Sequence, residues 1–99
     1  MGEKSKGEFR VISNNVRFGC GCREHDGRMV YFAWHGFPHR NDDYFTTAEI
    51  TREEYDQIAI EYPEEISANS KIGDKFYEKY VKDHNVLYEG WNRLIWWED

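Results

Sequence analysis

Ninety-nine residues, 39 % hydrophobic and 17 % aromatic, suffice for one domain spanning 1–99 whose core needs neither metal nor disulfide, and argue against disorder. No run of about eighteen apolar residues occurs, and no apolar stretch follows the polar start at 1–7; a membrane span and a signal peptide are not expected, and a cytoplasmic protein is. The formal charge of −6 is unevenly spread, because residues 1–40 hold seven Lys and Arg against four Asp and Glu while residues 41–99 hold six against fifteen.

Residues 1–7 read as a flexible start. Glu8 to Ile12 alternates as a first strand, and Ser13-Asn14-Asn15 is a turn into the longest signal in the chain, the hairpin from Val16 to Phe37. His25-Asp26-Gly27 carries its turn chemistry. A three-residue loop there pairs Glu24 with Arg28. It also gathers Val16, Phe18, Cys20, Cys22, Val30, Phe32 and Trp34 on one apolar face. The opposite face then carries Arg17, Gly19, Gly21 and Arg23 with Met29, Tyr31, Ala33 and His35. A two-residue Asp26-Gly27 loop would put Cys20 opposite Ala33 and Phe18 opposite His35, dividing the apolar set between faces, so the three-residue register is the one expected. Gly19 and Gly21 leave a trough that another backbone or ring can approach.

Pro38 breaks the pattern, His39 to Asp43 is a polar loop, and Tyr44 to Thr47 is a short fourth strand. Thr51 followed by Glu54 is a capping box, and Ile50 with Tyr55 a hydrophobic staple, which predicts a helix starting at Thr51. Tyr55, Ile58, Ala59 and Tyr62 form its buried stripe, and Pro63 ends it. A second helix is predicted from about Lys71 to His84, capped by Asn69 or Ser70, with Ile72, Phe76, Tyr77, Tyr80 and Val81 turned inward. Val86 to Glu89, a turn over Gly90 to Arg93, and Leu94 to Trp97 suggest a closing hairpin. The expected fold is therefore α+β: an antiparallel β-sheet of four to six strands with two helices packed on one face, in the order ββββααββ.

Three constellations carry candidate chemistry. Cys20, Cys22, His25, His35 and His39 have ligand types that zinc favours, but C-x-C on a strand lacks the turn spacing of structural zinc motifs, so the cysteines are read as reduced core residues and no metal or other cofactor is assigned. No catalytic motif appears, and no catalytic residue is assigned. Arg17, Arg23, Tyr31 and His35 on one sheet face would suit a single-stranded nucleic acid, although the acidic balance speaks against one. A small metal- or nucleic-acid-binding regulator built on these residues is the alternative function.

The acidic segment carries the leading reading. Nine carboxylates lie between Asp42 and Glu65 against Arg52 alone. Asp42, Asp43, Tyr44, Glu49, Glu53, Glu54, Asp56, Glu61, Glu64 and Glu65 are the expected partner-binding set, a negative patch interleaved with aromatics. The function this implies is a non-enzymatic acidic interaction protein. It would inhibit a nucleic-acid-handling protein by occupying its basic surface, in the manner of small proteins that mobile genetic elements use to block host enzymes. An open strand edge leaves room for a homodimer.

Overall fold

In the computed structural model, residues 7–36 and 44–91 are described. The strands are β1 (Gly7–Ser13), β2 (Phe18–His25), β3 (Arg28–Gly36), β4 (Tyr44–Ile50) and β5 (Asn85–Trp91), with helices α1 (Arg52–Glu61) and α2 (Ser70–Tyr80) between β4 and β5. The five strands form one antiparallel sheet in the order β1-β2-β3-β4-β5. This is the α+β architecture expected from the sequence. Each strand lies beside its neighbour in the chain, and the two helices bridge the β4-to-β5 step.

The hairpin register differs from the expected one. His25 pairs with Arg28, Cys20 with Ala33 and Phe18 with His35. Asp26 and Gly27 form a two-residue loop with φ of 54° and 82°, the double left-handed turn whose twist matches that of the flanking strands. The apolar residues are consequently divided between the faces. Phe18, Cys20 and Ala33 join Ile50, Ile58, Phe76 and Tyr80 in the core beneath the helices. Phe32, Trp34 and Phe45 form a second core on the other face, with Val11 and Leu87 against it.

The glycines make this register favourable. Gly19 pairs with Trp34 and Gly21 with Phe32, and a Cβ on either would stand 2.6 Å from the facing ring. Two large rings thus lie flat over the trough that the missing side chains leave, and Phe9 stacks on Trp34 at 5.5 Å and 2°. Burying both faces means the sheet does not need a single apolar side, the assumption on which the three-residue register rested.

Helix α1 begins as expected. Thr51 Oγ1 accepts from Glu54 N at 3.0 Å and Glu54 Oε1 accepts from Thr51 N at 2.8 Å. Ile58 is its buried residue and Tyr55 and Tyr62 are half-buried, but Ala59 is exposed, because a helix lying on a flat sheet buries a narrow stripe. Helix α2 is capped by Asn69, whose side chain accepts from Ile72 N at 2.9 Å. It stops at Tyr80 rather than His84, since Asp83 takes a left-handed φ of 65° that turns the chain into β5.

Gly90, expected in a turn, instead pairs with Phe45 within β5. The second strand of the predicted closing hairpin, at 94–97, falls outside the described residues, as do the polar loop at 39–43 and all of the start expected to be flexible at 1–7 except Gly7, which opens β1. Between the helices, Ala68 N bonds Asn15 Oδ1 at 3.2 Å and Ala68 O accepts from Asn15 Nδ2 at 2.5 Å, which fastens the connector to the β1–β2 turn. Among the described residues no helix is long and apolar enough to cross a membrane.

Candidate functional site

Helix α1 is the scaffold of the acidic segment, and its geometry sorts the carboxylates into groups. Glu53, Asp56 and Ile60 stand at i, i+3 and i+7, so they share the outward side of the helix. All three are exposed, and Ile60 is 73 % accessible, the most exposed of the large apolar residues among those described. Asp56 meets Arg52 at 3.5 Å. Glu64 and Glu65 follow just past the helix, both exposed, and Glu65 accepts from Asn14 Nδ2 at 3.2 Å. Glu53 and Glu64 have no hydrogen-bond or ion-pair partner among the described residues.

Two expected partner-binding residues are engaged in holding the fold. Glu54 completes the cap of α1 and, through Oε2, meets His84 Nε2 at 2.8 Å. Partial burial opposes its charge, yet the donors from His84 and Thr51 hold its pKa below the usual value. Glu61 accepts from Gln57 at 3.1 Å, from the Tyr80 hydroxyl at 2.9 Å and from Lys79. Those donors likewise outweigh burial and lower its pKa.

Glu49 stands apart. It pairs with Phe32 in the ladder and so projects from the face away from the helices, where it lies 3.9 Å from Arg28. Tyr44 is half-buried at the start of β4, opposite Trp91. Asp42 and Asp43 fall outside the described residues. Of the expected set, Glu53 and Asp56 thus share the outward side of α1 with Ile60, and Glu64 and Glu65 are exposed just past the helix. Two grooves adjoin α1. One, of about 460 Å³, runs between Met29, Tyr31, Arg52, Glu54 and His84; the other, of about 400 Å³, between Glu61, Tyr62, Lys75 and Lys79. Each mixes both signs of charge.

The alternative constellations are taken apart by the register. Arg23 lies opposite Val30, on the face away from the helices, whereas Tyr31 and His35 lie beneath them, with Tyr31 5.1 Å from Tyr55 and His35 5.3 Å from Tyr77. Arg17 sits in the β1–β2 turn over the Phe45 ring. The expected Arg and Tyr face is thus not one surface. Cys20 and Cys22 face the helices and His25, at the hairpin tip, the other side; His39 falls outside the described residues. Burial pushes the Cys20 thiol up to about 11 against the opposing pull of Arg10. Among the described residues no three His, Cys, Asp or Glu side chains converge as a ligand set.

Sequence reasoning had not singled out Ile60 or His84. Ile60 was detectable, because it falls off the Tyr55–Ile58–Tyr62 stripe that the helix period defines. The His84 contact spans thirty positions to Glu54 and has no local signature. No protein-family model, curated protein or solved structure matches this chain.

Proposed function

We propose that this chain is a non-enzymatic acidic interaction protein that inhibits a nucleic-acid-handling partner by covering its basic surface with the outer side of α1. The observation that carries this reading is Ile60, 73 % exposed near the end of α1 on the side it shares with Glu53 and Asp56, with Glu64 and Glu65 exposed just past the helix. An interface places apolar anchors inside a polar rim, and an exposed Ile60 on the same side as Glu53 and Asp56 suits that pattern. These carboxylates supply long-range attraction to Lys and Arg.

The test is affinity capture from lysate with wild-type protein and with the combined variant Glu53→Gln, Asp56→Asn, Ile60→Ser and Glu64→Gln. These positions are exposed, so the melting temperature should not change. Capture of a basic nucleic-acid-binding protein should be lost in the variant, should weaken steeply with salt, and should be competed by the partner's own nucleic acid. Equal capture by both proteins, or a partner that still binds its nucleic acid alongside this chain, would refute the proposal.

A further inference from the structure

Strand β1 is an outer strand of the sheet, and among the described residues its free side is closed at one end. There Ile66 N donates to Ile12 O at 2.7 Å and Ile66 bridges Ser13, while a bulge between Val11 and Ser13 bends the strand. From Gly7 to Val11 that side is open among the described residues. The carbonyls of Glu8 and Arg10 point inward at β2, since they lie 2.6 and 2.1 Å from where a Cβ of Gly21 and Gly19 would stand. By strand alternation, the backbone groups of Gly7, Phe9 and Val11 point outward. No Lys or Pro blunts this stretch; Glu8 and Arg10 share the parity of Cys22 and Cys20 and lie on the helix side, while Phe9, 44 % exposed, lies on the other.

We infer that two copies of this chain pair antiparallel through this edge, with the two-fold axis at Phe9. In that register Phe9 exchanges hydrogen bonds with Phe9 of the second copy, and Gly7 with Val11, giving six new backbone bonds from groups already aimed outward. Glu8 falls directly opposite Arg10, and Arg10 opposite Glu8, in the non-hydrogen-bonded pairs where side chains approach most closely. The strand is thus self-complementary in charge about its own centre, as a two-fold interface requires. On the other face, Phe9 already stacks on Trp34, so pairing continues one aromatic row across both subunits. Arg10 also donates to Tyr62 O, and its guanidinium keeps further donors for the carboxylate. A β1 slip by one residue would set Phe9 against Arg10 and lose both matches.

An interface of one short strand is small, so the dimer is a weak one, populated at high protein concentration. Sedimentation velocity across about 10 µM to 1 mM should show the full-length protein passing from 11.9 kDa toward twice that mass. Glu8→Arg, which sets Arg against Arg10 at an exposed position, should weaken association at least tenfold without changing the melting temperature. Under mild oxidation Phe9→Cys should give a disulfide-linked dimer, because Cα atoms about 5.5 Å apart in a hydrogen-bonded pair suit a disulfide. Met29→Cys, exposed at the hairpin tip, should not. A wild type that stays at 11.9 kDa throughout, association unchanged by Glu8→Arg, or equal cross-linking of both cysteine variants would overturn the pairing. So would Phe9→Cys linking to a different protein in lysate, which would assign the edge to another chain's strand.

Discussion

His84 Nε2 lies 2.8 Å from Glu54 Oε2, and through this contact the turn after α2 holds the first turn of α1. His84 Nδ1 is 2.9 Å from the Lys82 carbonyl, so both ring nitrogens face acceptors, and satisfying both as donors requires the imidazolium. Burial would lower the pKa of His84, but the bonds to Glu54 and Lys82 and the nearby Asp83 raise it above the ordinary value.

This pair makes stability depend on pH in a definite direction. A raised histidine contributes fully below its ordinary 6.5 and loses its share as pH rises through the folded value; a lowered glutamate contributes fully above its ordinary 4.5 and loses its share as pH falls. The joint contribution is therefore greatest between 4.5 and 6.5. His84→Gln should cost about 1 kcal/mol near pH 5.5, since both side chains are partly solvated, and distinctly less near pH 9. Urea titrations at the two pH values would show it; equal losses at both would mean the charge is irrelevant.

The cap of α1 should behave as a unit with this contact. Thr51→Ala should cost about 1 kcal/mol. Glu54→Ala should cost more, because it removes the box and leaves His84 without its carboxylate. Combining Glu54→Ala with His84→Gln should cost less than the two single losses together. Additive losses in a denaturation series would show that the two residues act independently.

Gly19 and Gly27 are needed for opposite reasons. A Cβ at Gly19 would stand 2.1 Å from the Arg10 carbonyl and 2.6 Å from the Trp34 ring, so Gly19→Ala should cost about 2 kcal/mol or more through overpacking and alter the tryptophan fluorescence. Gly27 has nothing within 4 Å, but its φ of 82° strains any other residue. Gly27→Ala should cost about 1 kcal/mol and leave the fluorescence unchanged. Similar spectra for the two variants would contradict the ring-over-glycine packing.

The two thiols should differ in reactivity. Cys20 is fully enclosed and its thiol is pushed up to about 11 by burial, whereas Cys22 is half-buried beside Tyr55. Titration with a thiol reagent at neutral pH should label one site per chain in the folded protein and two in denaturant. Rapid labelling of both sites in the folded protein would mean that the Cys20 packing opens readily.

Features written in short stretches were legible before the fold was known. The Thr51–Glu54 box, a cap at Asn69 or Ser70 and the run of four strands before two helices each depend on neighbours within a few positions, and each is present, with Asn69 as the cap. The hairpin is legible in the sequence, but its register is not. Alternation alone favours one apolar face, while Phe32 and Trp34 are buried on the side away from the helices.

The candidate site shows the same division. That acids crowd 42–65 is a matter of composition; which of them face outward is not. Glu54 and Glu61 are engaged by His84, Lys79 and Tyr80, residues eighteen to thirty positions away, and Glu49 is carried to the other face by the parity of β4. Local chemistry, acting between adjacent residues, determined where the elements begin and what charge they carry. Tertiary packing decided which side each residue presents, because a side chain's exposure depends on what the folded chain brings against it.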